Sequence, residues 1–97
     1  MINERECYLC RTLYGICTTH NLHRHHAFEG GTSGRRKMSD KYDLVVWLCG
    51  AHHNQSNEGV HFNRENDLIV KRFAQTYYEE HYGSRDDFRR DFIKSYL

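Results

Sequence analysis

Two short stretches, Cys7-x-x-Cys10 near the start and Cys49-x-x-His52 near the middle, constrain this chain more than anything else in it. A two-residue gap lets both side chains of a turn converge on one point, so each stretch is half of a four-donor set. Together Cys7, Cys10, Cys49 and His52 predict a closed tetrahedral zinc site that serves the fold. A redox pair of Cys7 and Cys10 would call for a thioredoxin-like βαβ pattern, which is lacking here. Cys17 falls outside both halves. A site that includes it can be drawn, but its plainer expectation is a small buried hydrophobe. A metal staple also suits the size, since 97 residues make one small domain that buries only about two thirds of its unfolded surface.

Charge sets the next limit. Fourteen Lys and Arg stand against thirteen Asp and Glu, a formal net of +1, so the chain as a whole carries no electrostatic footprint for nucleic acid, and any such binding must be local. No apolar run approaches a membrane span, and the opening MINERE has neither the basic start nor the apolar stretch of a signal peptide. The expectation is a soluble, cytoplasmic protein with reduced cysteines and no membrane partner.

The pattern along the chain is α+β. His20 to Phe28 (HNLHRHHAF) alternates loosely and predicts a strand, Glu29 to Arg36 (EGGTSGRR) a glycine-rich loop, and Ser39 to Lys41 a single helical turn. Leu44 to Leu48 (LVVWL) predicts a second strand, with a helix starting near Gly50. From residue 63 the pattern turns helical. Asn63 is a plausible N-cap, Ile69, Phe73 and Tyr77 align on one face, and Gly83 would end the helix in the left-handed conformation. Ser84 to Asp87 resembles a capping box before a last helix that aligns Phe88, Phe92 and Tyr96. One domain over residues 1–97 is expected, with the knuckle and ββα unit at about 5–62 and the helical part at about 63–97.

Eight histidines are present, most of them between His20 and His61. Around a helix, neighbours point about 100° apart, so His53 is free of the zinc site that His52 completes. His25 and His26 close the first strand and face opposite sides, which lets one bind a metal while the other does separate work nearby. His61 returns toward His53 after a turn containing Asn57 and Gly59. Imidazole suits zinc, nickel and similar divalent ions, including at sites that keep open positions. His23, two residues before His25, shares its face and is expected to support the site rather than ligate. Arg35, Arg36 and Lys37 form the only tight basic run; they are either a solvated segment or, beside a metal centre, phosphate contacts.

The order Cys-x-x-Cys, His-His, Leu-Cys-x-x-His-His, Gly-Val-His resembles the zinc-knuckle branch of the HNH endonucleases, the ββα-metal or His-Me finger nucleases. LHRHHAFEGG, RRKMSDKY, LVVWLCGAHHN and GVHFNRENDL are similar to small HNH-like proteins of bacteriophages and prophages, and the likeness runs from Glu6 to Leu97. It implies a small ββα-metal core with a structural zinc knuckle and two C-terminal helices. It further implies a DNA endonuclease that hydrolyses phosphodiester bonds with one divalent ion (Mg²⁺, Mn²⁺, Ni²⁺ or Zn²⁺) in the cytoplasm of a bacterial host. In that family the doublet supplies a metal ligand and then the general base, which would be His25 and His26. His53 and His61 would be the other ligands.

Two departures accompany the likeness. The family's middle asparagine ties the long loop across the hairpin, and the matching position here holds Asp43. The gap from His53 to His61 is longer than the family's, and Asn57 stands at the shorter spacing, where an amide oxygen four residues along a helix would face the same ion. A rival of another class is a catalytically silent, zinc-stabilised module that binds DNA or inhibits another protein.

Overall fold

The structure, a computed structural model, describes residues 4–29 and 35–97, with the side chain of Arg35 outside that set. The elements run α1 (Tyr8–Tyr14), β1 (Leu22–His26), α2 (Arg35–Lys41), β2 (Val45–Cys49), α3 (Gly50–His53), α4 (Arg64–His81) and α5 (Arg85–Phe92). The class is α+β, with β1 and β2 forming a two-stranded antiparallel sheet. Among the described residues no helix is long and apolar enough to cross a membrane.

The sequence suggests an irregular stretch from the Cys7 to Cys10 knuckle through Thr19, but α1 continues past the knuckle as far as Tyr14. Cys7 is its N-cap, with the Sγ accepting from the Cys10 N–H, and Gly15 closes it at φ 65°, a conformation that costs glycine little. That closing glycine was the available signal. The helix stacks Tyr8 on Phe73 of α4, with ring centroids 4.5 Å apart.

In the hairpin, His23 faces Leu48, His25 faces Val46 and His26 faces Val45. β2 carries the apolar weight: Val46 and Leu48 are fully buried. The glycine-rich part of the predicted loop, residues 30–34, lies outside the described residues. Arg35 and Arg36, expected in that loop, belong to α2, which is longer than the single turn anticipated. Buried Ser39 fastens α2 to the chain just beyond β1. Its hydroxyl donates to the Phe28 carbonyl at 2.8 Å and accepts from the Phe28 N–H at 3.2 Å. Asp40, the next residue, is thereby held beside the end of β1.

Asn63 caps α4 by accepting from the Asn66 N–H. The face of α4 in the core is Val70, Ala74 and Tyr78, one position on from the aligned Ile69, Phe73 and Tyr77, which are only partly buried against it. The reason is that α4 is covered on two sides, by α1 through Phe73 and by α5 through Tyr78, so the covered surface is wider than one stripe. Gly83 does not adopt the left-handed form; α4 ends at His81, with Tyr82 as its C-cap at φ −124°.

Phe28 joins this aromatic packing, with its ring 4.7 Å from Phe92 and 5.3 Å from Phe88. It thus ties the end of the histidine-bearing strand to α5. Asp91 on α5 accepts from the hydroxyls of both Tyr42 and Tyr78 at 2.9 Å, so polar groups at the edge of the packed rings are partnered.

The capping box before α5 is formed in both directions. Ser84 Oγ accepts from the Asp87 N–H at 3.1 Å, and the Asp87 carboxylate accepts from the Ser84 N–H at 2.9 Å. Ser84→Ala removes one half of it and is expected to cost about 1 kcal/mol. Urea denaturation should show the midpoint falling with an unchanged slope, while metal content stays the same.

Candidate metal centres

The first centre sits where the N-terminus of α1 meets the junction of β2 and α3. His52 Nδ1 lies 3.5 Å from Cys7 Sγ, 3.4 Å from Cys10 Sγ and 3.4 Å from Cys49 Sγ, and the Cys10 and Cys49 sulfurs are 3.8 Å apart. A tetrahedron built on ordinary zinc–sulfur and zinc–nitrogen lengths has sulfur–sulfur edges of about 3.8 Å and sulfur–nitrogen edges of about 3.6 Å. The side chains therefore fit a zinc-sized ion without rearrangement, and the cluster can hold a metal.

Burial pushes the Cys7 thiol up to about 12, so without a cation the sulfur would keep its proton, and a bound metal would displace it. Three thiols at ordinary contact from an imidazole, with Cys7 fully enclosed, make poor sense as simple packing and good sense as a donor set. The other ring nitrogen of His52 is buried and faces Glu58 at 4.0 Å, and Glu58 itself accepts from the Tyr14 hydroxyl. Cys17 belongs to neither the cluster nor the core. It is exposed, which corrects the expectation of a buried hydrophobe, and its neighbours are Glu6 and Arg11.

The second centre gathers His25 from β1, His53 from the last position of α3 and His61 from the turn beyond. One ring nitrogen of each lies within 4.8 Å of the others. The long gap between His53 and His61 is closed by backbone pairing. Val60 N–H donates to the His52 carbonyl at 2.9 Å, and His61 N–H donates to the His53 carbonyl at 3.3 Å. Gly59 makes this return possible, because a Cβ there would stand 2.7 Å from the His53 carbonyl oxygen. Asn57 is not on a shared helix with His53, since α3 stops at His53. The helical spacing that made Asn57 a rival is thus absent, and it is His61 whose Nε2 meets His53 Nε2 at 3.2 Å.

His25 is 3% exposed, and both of its ring nitrogens are without a hydrogen-bond partner. An enclosed polar group left so costs about 1–3 kcal/mol, which is tolerated where a ligand satisfies it. Burial, and then the neighbouring His53 and His61, hold its pKa down to about 3. The ring is therefore neutral, with a lone pair to give. His53 is lowered for the same reasons, burial first.

His23, which precedes His25 on β1, has its Nδ1 2.8 Å from His53 Nδ1. That contact fixes the His53 ring so that Nε2 faces the cluster, as partners of metal-binding histidines commonly do.

Glu29 is the acid that sequence reasoning missed. One of its oxygens is 3.5 Å from His61 Nε2 and 3.9 Å from His25 Nδ1, and the other is 3.9 Å from His26 Nδ1. His26 Nε2 meets the Asp40 carboxylate at 2.9 Å, and Arg24 also donates to that oxygen, at 3.2 Å. The hydrogen bond from His26, followed by the charges of His26 and Arg24, lowers the Asp40 pKa. Asp40 thus contacts the second histidine of the doublet. Asp43 stands in the turn between α2 and β2 with φ 54°, its N–H bonded to the Asp40 carbonyl. Arg36 and Lys37 are exposed on α2. Neither borders the cleft of about 200 Å³ that opens beside His25, Glu29 and His61.

Compared with protein families, with curated proteins and with solved structures, the chain matches none of them.

Proposed function

We propose that the chain is a metal-dependent DNA endonuclease of the HNH type, with β1, β2 and α3 as its ββα-metal unit and zinc at the Cys7, Cys10, Cys49 and His52 cluster. The observation that carries this is His25, enclosed with two unpartnered nitrogens between His53 and His61 and beside an open cleft. A closed four-donor site next to a three-histidine site that opens on a cleft divides structural from reactive metal binding. A phage or prophage origin and action inside a bacterial host rest on the resemblance of the sequence alone.

A divalent ion at the three histidines would supply Lewis-acid stabilisation of the charge that builds on the phosphate and the leaving oxygen. The chain supplies the rest. With Nε2–H donated to Asp40, His26 keeps its lone pair on Nδ1, the nitrogen on the Glu29 side, where that carboxylate also meets His25 and His61. A neutral imidazole so held can accept a proton from water, and Asp40 stabilises the imidazolium that results.

The burial of His26, 5% exposed, gives some support to the rival, a silent zinc-stabilised module that binds DNA or another protein, because a base must reach water. Cleavage of supercoiled plasmid with added Mg²⁺, Mn²⁺ or Ni²⁺ decides between them. The parent is expected to nick or linearise the plasmid with at least one ion, and His26→Ala is expected to lower the rate by about 10²–10⁴-fold. An uncut plasmid with every ion would remove the nuclease and leave the binding module.

A further inference from the structure

We propose that the cleft beside the histidines continues into a groove that holds the phosphodiester backbone of a DNA strand, gripped by Arg64, Lys71 and Lys94. The inference deepens the nuclease reading and rests on it for the nature of the polyanion.

A second cleft, of about 370 Å³, is lined by Arg64, Asp67, Leu68, Lys71, Lys94 and Tyr96. Asp67 and Lys71 also line the cleft that His25, Glu29 and His61 border. The two therefore share a wall on the first turns of α4, and together they lead from the histidines to the C-terminal segment. Three cations face one carboxylate in the outer cleft, in a chain whose whole formal charge is only +1. That is the local excess of positive charge that a neutral chain needs in order to bind nucleic acid.

The cations are arranged rather than scattered. Lys71 is anchored by Asp67 at 2.6 Å, and the Lys71 and Lys94 ammonium groups stand over the Tyr96 ring at 5.4 and 5.1 Å from its centroid. One ring thus gathers two like charges that would otherwise repel. Tyr96 is fixed in turn by its own backbone. Its N–H donates to the carbonyl oxygen of the buried Gln75 side chain at 2.7 Å, and its carbonyl accepts from Arg72 at 3.2 Å. Among the described residues, neither Arg64 nor Lys94 has a carboxylate partner. Phosphate oxygens would complete them. Lys71, common to both clefts, is the cation placed nearest the reacting phosphate.

The test is binding of a short labelled DNA duplex across a salt series, in the His26→Ala background so that the strand stays intact, alongside plasmid cleavage by the same substitutions in the parent. Arg64→Ala with Lys94→Ala should weaken binding and lower the slope of log affinity against log salt by about two, and Lys71→Ala by about one more. Arg89→Ala, on α5 and not among the residues that line the groove, should leave the slope unchanged. An unchanged slope in the groove variants, or the same loss from Arg36→Ala with Lys37→Ala on α2, overturns the groove. Cleavage that survives with an unchanged slope rejects the groove and keeps the nuclease. Binding through the groove by a protein that cuts nothing rejects the nuclease and keeps the groove. A parent that binds no DNA at low salt rejects the groove outright.

Discussion

Cys10→Ser is expected to leave the protein without tightly held zinc and unfolded at room temperature. Cys10 Sγ is in contact with both Cys49 and His52, so its loss opens one corner of the tetrahedron and leaves three donors. The cluster is also the clasp between α1 and the hairpin's far end, since Cys7 and Cys10 come from the start of α1, Cys49 from the end of β2 and His52 from α3. Structural zinc contributes about 10–16 kcal/mol in peptides that depend on it, whereas the whole stability of a small domain is about 5–15 kcal/mol. The metal's share is therefore as large as the whole stability, and losing it is enough to unfold the chain. Circular dichroism on heating, with zinc content measured on the same sample, checks the expectation. A cooperative transition at the parent's temperature in metal-free Cys10→Ser would remove the structural role.

That cluster was the most legible part of the chain, and the reason is local geometry. A two-residue gap brings donors together through a single turn, so each half of the site is written in four consecutive residues. The Asn63 cap and the Ser84 capping box were legible for the same reason, because a side chain bonds a backbone group three residues on. Where a feature depends on what covers an element, sequence was a poorer guide. Ile69, Phe73 and Tyr77 do align at four-residue spacing, yet α4 is packed on two sides and buries Val70, Ala74 and Tyr78 instead. Cys17 has the chemistry of a core residue but lies outside any element, in the exposed segment after α1.

The histidine cluster was legible in its members but not in its wiring. His25 and His53 follow from strand alternation and helix rotation, whereas His61 depends on a backbone return at which Asn57 and Gly59 only hint. Asp40 lies beside His26 through tertiary placement, because Ser39 fastens α2 to Phe28, and the turn after α3 likewise swings His61 onto Glu29. The signal for Glu29 was its offset of three and four residues from His26 and His25, too common a spacing to single out an acid.

The adjacent pair His52 and His53 should separate cleanly on substitution by alanine. His52 places Nδ1 against three sulfurs and is 3% exposed, so His52→Ala should release zinc and unfold the chain much as Cys10→Ser does. His53 is half-buried at the end of α3, with Nδ1 held by His23 and Nε2 turned to His61. His53→Ala removes little packing and no donor of the zinc cluster. It should melt within a few degrees of the parent, keep its tightly bound zinc, and lose plasmid cleavage by at least about a hundredfold. Two readouts on each variant, melting temperature and cleavage rate, are needed because an unfolded protein is also inactive. If His53→Ala unfolds as His52→Ala does, the two histidines serve one site rather than two, and the seam between holding the fold and doing the chemistry does not run between them.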